Sequence, residues 1–289
     1  MILYAGLDDG RLLALGDGLK VSAQVVLDDR PVQAILADAA GVAAVTLGGH
    51  VKILSAALLV EREVNLQVPL VAVARTLVDG TRAIAAGAAS AAIIGLDVQS
   101  LAQIAHARFA PHTLTGLVAV SAERMVIATW QAYVEGASFS GLPRQVFSPF
   151  NMSVRPKSLV ITGGYLLAPT SAGTLLVYDS GDAEVAPRSA TFSSGPVQFA
   201  AATLAGQALV LTEDGTLWQY DVANDVRTKV GTVLANATAL AATDKHVFVS
   251  NAFGEIAAYE VDAAAEGERS ARTALINVRA KPLALAIGP

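Results

Sequence analysis

The chain has 289 residues and no cysteine, with a formal net charge of −5, 53% hydrophobic residues and only 16% charged ones. That balance excludes a disordered chain, and the missing thiols exclude a disulfide framework, a thiolate metal site and a cysteine nucleophile. The acidic net charge argues against nonspecific nucleic-acid binding as the main role.

Taken from the N-terminus, ILYAGLDDGRLLALGDG at 2–18 reads as two alternating strands around an Asp-Asp-Gly turn, with no strand before them. No basic segment or apolar run of signal-peptide length precedes the first acidic pair, so a cytoplasmic location is expected, or a place in a virion. Arg30-Pro31 then precedes the strand VQAILAD, followed by a looser hairpin, GVAAVTLGGHVKILS, at 41–55. Pro69 precedes LVAVA and Pro111 precedes HTLTGLVAV, which leads into RMVIATWQAYVEGAS at 124–138. Arg155-Pro156 precedes KSLVIT and the hairpin YLLAPTSAGTLLVYDS at 165–180, and Pro196 precedes VQFAAA and QALVLTEDGTLWQYDV at 207–222. ATALAA near Ala237 keeps the strand without the proline and leads into HVFVSNAFGEIAAYEV at 246–261. Lys281-Pro282 precedes LALAI, a strand with nothing after it.

The longest uncharged stretches, 158–178 and 189–212, are broken by Gly163-Gly164, by Pro169 to Gly173, by Ser193 to Pro196 and by Ala205 to Gln207. These are turn signals between short strands, so no membrane insertion is expected. The unit recurs about every 38 to 45 residues, the period of a four-stranded propeller blade.

The expected fold is therefore a single all-β, seven-bladed β-propeller over 1–289 with four-stranded blades. Its units are 30–67, 68–110, 111–153, 154–194, 195–235 and 236–278, and the last is made from 1–29 plus 279–289. The C-terminal strand would pair beside the N-terminal hairpin and close the ring, removing two exposed edges. Ala and Gly in the first strands suit a crowded axis, which predicts a narrow, weakly polar channel.

The hairpins GTLLVYDS, GTLWQYDV, GEIAAYEV and, more loosely, AAIIGLDV at 91–98 resemble the repeats of bacterial quinoprotein-like and WD40-like propellers. The resemblance implies a propeller fold over nearly the whole chain. The Gly-His and Trp-Asp pairs of WD40 blades are absent. So is the regular tryptophan docking motif of quinoprotein blades, since only Trp130 and Trp218 are present. No quinone or other cofactor is expected.

No catalytic motif stands out. His50, His106, His112 and His246 lack metal-ligand spacing, and the acidic turns at Asp8-Asp9-Gly10 and Glu213-Asp214-Gly215 read as hairpin chemistry rather than calcium loops. No GxSxG elbow occurs. Arg30, Arg155, Lys157, Arg279 and Lys281 all precede or enter first strands, so the repeat should gather them on one face, where they could meet an acidic protein or a phosphate-bearing ligand. The unit 111–153 collects Trp130, Tyr133, Phe147 and Phe150, suited either to a blade core or to an interface.

The expected function is a noncatalytic protein-interaction scaffold within a larger assembly, a multiprotein complex or a phage particle. The alternatives are a propeller enzyme of lyase, hydrolase or quinoprotein type and a glycan- or small-ligand-binding propeller.

Overall fold

The structure is a computed structural model describing residues 1–90, 92–108, 113–122, 124–129, 133–137, 139, 146–149, 159–179, 187–192, 195–203, 206–261 and 270–288. These residues form an all-β propeller of seven four-stranded antiparallel sheets. One sheet joins β1 (Ile2–Leu7), β2 (Arg11–Leu15) and β3 (Val21–Val26) to the last strand, β28 (Pro282–Gly288). The next holds β4 (Val32–Asp38), β5 (Gly41–Thr46), β6 (His50–Leu54) and β7 (Val60–Asn65). It is followed by β8 (Leu70–Val78), β9 (Thr81–Ala88), β10 (Ala92–Asp97) and β11 (Gln103–Arg108). Then come β12 (Leu114–Ala119), β13 (Met125–Thr129), β14 (Tyr133–Ala137) and β15 (Val146–Pro149). The fifth sheet is β16 (Val160–Thr162), β17 (Tyr165–Pro169), β18 (Thr174–Asp179) and β19 (Arg188–Thr191). The sixth is β20 (Val197–Ala202), β21 (Ala208–Thr212), β22 (Thr216–Asp221) and β23 (Val226–Thr232). The seventh is β24 (Ala237–Ala242), β25 (His246–Asn251), β26 (Glu255–Val261) and β27 (Ser270–Asn277).

The terminal segments suggested that strand pairing would close the ring, and this needs correcting. β28 does pair with β1, from Ile2 opposite Gly288 to Leu7 opposite Pro282, but that ladder lies inside one sheet. Between sheets the connection is apolar packing. Among the described residues, a buried cluster fills each seam: Leu13 and Leu15 meet Phe248 and Ile256, for example, and Leu12 and Ala14 meet Val42 and Ala44. The physical reason is that each strand pair satisfies its backbone within its own sheet, leaving only side-chain faces for the neighbour.

Small residues serve that packing beyond the first strands, where the sequence reading had placed their role. A Cβ on Gly6 of β1 would stand 2.6 Å from Val32 Cγ1, and one on Gly87 of β9 would stand 3.0 Å from Leu114 Cδ2. At the rim, arginines reach across the seams. Arg62 of β7 donates through Nη1 to the carbonyls of Val98 (2.6 Å) and Gln99 (3.1 Å), and Arg188 of β19 donates through Nη2 to that of Val222 (2.7 Å).

In five of the sheets the turn between second and third strands shares one construction. Gly10, Gly49, Gly173, Gly215 and Gly254 have φ between 77° and 94°, a left-handed conformation open to glycine. Each glycine carbonyl accepts the amide of the residue ending the outer strand's return: Leu27, Leu66, Phe192, Val233 and Val278 at 2.8 to 3.0 Å. The residue opening the turn is buried and polar in several sheets: Thr46, Thr170, Thr212 and Asn251. Its side-chain oxygen accepts turn amides, as Asn251 Oδ1 does from Phe253 (3.0 Å) and Glu255 (3.1 Å).

Candidate interaction face

These turns and the connections entering the first strands lie together on one face of the ring, because each turn bonds to the connection beside it. Leu47 donates to the Pro31 carbonyl, Glu213 to that of Pro196 and Ala252 to that of Asn236. Asp8 and Lys281 are joined twice at 2.9 Å: the Asp8 amide donates to the Lys281 carbonyl, and the Lys281 amide donates to Asp8 Oδ1. The repeat thus brings Arg30, Arg279 and Lys281 onto the same face, and all three are exposed.

Arg279 is held there by local geometry. Asn277 Oδ1 accepts the Arg279 amide at 2.9 Å, and Arg279 has φ 57°. The same device recurs at Asn65 and Gln67, where the amide bond is 2.7 Å and φ is 56°. A left-handed arginine is conformationally unfavourable unless its surroundings hold it, so the Asn-Val-Arg sequence fixes the site by an Asx turn.

The described cations do not make a uniformly basic ring. Asp8, Asp9, Asp28, Asp29, Glu213 and Asp214 come from the same turns and connections. Asp9 holds Arg11 at 2.7 Å, and Arg11 Nη2 also donates to the Val278 carbonyl at 3.2 Å. Arg30, Arg279 and Lys281 make no ion pair among the described residues. Burial works against charge on Asp28, but hydrogen bonds from Thr46 and Asp29, with His50 nearby, hold its carboxyl below the usual range.

Phe253 is the site residue that the sequence reading missed. It is 69% exposed, at a turn position occupied elsewhere by Asp9, Gly48, Ala172 and Asp214. Its carbonyl accepts Asn277 Nδ2 at 3.4 Å, and the adjoining Gly254 packs against the backbone of Arg279 and Ala280. An apolar ring therefore stands beside the segment that presents Arg279 and Lys281. Comparing turn positions across the repeats was the available signal.

Of the other sequence candidates, Trp130, Phe150, Arg155 and Lys157 lie outside the described residues. Tyr133 and Phe147 are placed by backbone only, in β14 and β15, with Tyr133 opposite Pro149. Phe139, from the same unit, packs into the seam cluster beside Gly95. Among the described residues no three His, Asp or Glu side chains converge to hold a metal, and no helix is long and apolar enough to cross a membrane.

With this geometry in place, comparison identifies the architecture. The β-propeller domain of Myceliophteria thermophila Cps50 (Swd1) superposes with a TM-score of 0.71 at 15% identity, over 87% of each chain. The C-terminal WD40 domain of Sif2 gives 0.68 at 14% identity, over 95% of this chain and 82% of that one. The likeness is to WD40-type propellers. It is one of fold. No family model and no curated protein matches the sequence.

The acidic turn at Asp214 gives a pH-dependent prediction. Thr212 donates its hydroxyl to Asp214 Oδ1 (2.6 Å) and Thr216 its amide (3.0 Å), and these bonds lower the carboxyl's pKa. A depressed carboxylate adds stability that is present above its unfolded pKa, about 3.9, and is lost as pH falls through the folded value. Asp214→Asn should lower the melting temperature at pH 7, and the gap to the parent should narrow in thermal melts as pH falls below about 3.9 and through the folded carboxyl's own lower pKa. A gap of constant size across that range would contradict the assignment.

Proposed function

We propose that this chain is a noncatalytic protein-interaction propeller, a component of a multiprotein complex or phage particle. It docks an acidic protein surface on the face carrying Arg30, Phe253, Arg279 and Lys281. The observation that carries this reading is the exposed Phe253 beside cations that make no ion pair among the described residues. An aromatic anchor next to exposed positive charge is a common composition for the centre of a protein interface. The WD40-type fold is consistent with such a role and supplies rigid turns on which to mount it.

The test is charge reversal. Arg30→Glu, Arg279→Glu and Lys281→Glu together change the local charge by about six units at exposed positions, where effects on stability are small. The triple variant should melt like the parent. A partner recovered with the parent at native expression should be lost, and the parent's association should weaken as salt rises. Retention of every partner by a folded triple variant would reject this face.

A further inference from the structure

We propose a second binding site on the opposite face, a cleft for the carboxylate of a small aliphatic acid or of a chain terminus ending in an aliphatic residue. The first hairpin of the third sheet overshoots its neighbour. β8 has nine residues and runs on to Val78 opposite Thr81, whereas β4 has seven and turns back at Asp38 opposite Gly41. Two extra residues lengthen this wall by about 6 to 7 Å at the rise of a strand.

Beside the wall lies a cleft of about 280 Å³ lined by Leu77, Ala83, Val98 and Ala122, with Arg75 and Arg82 among its walls. Its small volume suits a ligand of a few carbons, below the drug-sized range of roughly 300–1,000 Å³.

The two guanidiniums are prepared differently. Arg75 is gripped from the neighbouring sheet by Asp38, whose Oδ2 accepts Nε and whose Oδ1 accepts Nη2 at 2.8 Å. Neither bond uses Nη1, so that nitrogen is available in a fixed orientation. Arg82 is exposed and makes no ion pair among the described residues. The floor is rigid: the Leu77 amide and the Thr76 hydroxyl both donate to the Ala122 carbonyl, at 2.6 and 3.1 Å. Arg62 borders the site but is committed to the carbonyls of Val98 and Gln99.

Among the described residues the nearby acids are also occupied, apart from Asp79 at the hairpin tip. Asp38 binds Arg75, and Asp97 Oδ1 accepts bonds from Ser100 and Gln99. An apolar wall beside one guanidinium held by Asp38 and a second that makes no ion pair among the described residues selects an anion with an aliphatic tail, since a charge-assisted Arg–carboxylate bond outweighs its neutral counterpart.

The experiment titrates the full chain calorimetrically with N-acetylleucine, N-acetylleucinamide and a pentapeptide ending in leucine, its carboxyl free or amidated. At least one free acid should bind, and its amide should bind about tenfold more weakly, a 1.4 kcal/mol difference. Tighter binding of the peptide acid than of N-acetylleucine assigns the natural ligand to a chain terminus, and equal binding assigns it to a free acid. Arg82→Gln, at an exposed position, should keep the parent's melting temperature and weaken the acid about tenfold. The Arg30, Arg279, Lys281 triple variant should bind the acid normally, which separates this site from the docking face. Equal binding of acid and amide, no effect of Arg82→Gln, or no binding of either acid would overturn the proposal.

Discussion

Deleting Pro282–Pro289 should lower the melting temperature by roughly 8 to 16 °C and convert the protein into aggregates on size exclusion. The segment supplies β28, the inner strand of the sheet that also holds the N-terminal hairpin. Leu285 and Ile287 pack against the cluster containing Leu3, Leu13 and Phe248. Each such side chain contributes roughly 1.5–3 kcal/mol when fully buried, so partial burial of these two and Leu283 gives on the order of 4 kcal/mol. At about 2–4 °C per kcal/mol for a chain of this size, the melting shift follows. The deletion also bares the edge of β1, whose buried apolar strand would then template intermolecular pairing. An unchanged melt and elution volume would show that β28 contributes nothing to the ring.

Gly10→Ala should be among the most damaging single substitutions in the molecule, and Gly80→Ala should be mild, although the two glycines share nearly the same backbone angle. Their φ values are 81° and 79°. A Cβ at Gly80 meets nothing within 4 Å, so only the left-handed strain of roughly 1–2 kcal/mol remains. A Cβ at Gly10 would collide with the Asp28 carbonyl oxygen and stand 2.8 Å from its carbon. Those are backbone atoms of a connection bonded back to Gly10 through the Leu27 amide, 2.9 Å from the Gly10 carbonyl. The connection must move, adding an overpacking penalty of about 1–3 kcal/mol. Denaturant unfolding should therefore separate the variants by about 1–3 kcal/mol, Gly10→Ala being the weaker. Equal losses would mean that strain alone governs these turns.

The propeller was legible because its signals are local and repeated. The alternating runs in 207–222 and 246–261 fold as β21–β22 and β25–β26, with Gly215 and Gly254 at the left-handed turn position. The looser 41–55 segment forms β5–β6 around Gly49 by the same rule. The seams between sheets could not be read, since apolar alternation says which residues are inside and not which neighbouring face they meet. Gly6 against Val32 is an example: its smallness is explained only by a residue 26 positions away.

The candidate site was partly legible for a related reason. Placing Arg30, Arg279 and Lys281 before first strands put them on one face, but charge at one repeat position says nothing of the acids contributed by the adjacent turns. Asp8 and Asp28 enter through hydrogen bonds that join turn to connection, and Asp214 through bonds within its own turn. Phe253 was overlooked because an aromatic inside an alternating strand pattern reads as core, and its exposure depends on its falling in the turn.

The arginines at the rim bear on how the molecule yields. Arg62 and Arg188 link neighbouring sheets through carbonyl contacts that water can replace, whereas the inner parts of the seams are packed with side chains that water cannot solvate favourably. Separating two sheets at the circumference exchanges a few hydrogen bonds for hydration, while separating them near the axis exposes a dry surface. Fluctuations of the ring should accordingly fan outward from a rigid hub, with the outer strands β7 and β19 opening before the inner strands they enclose.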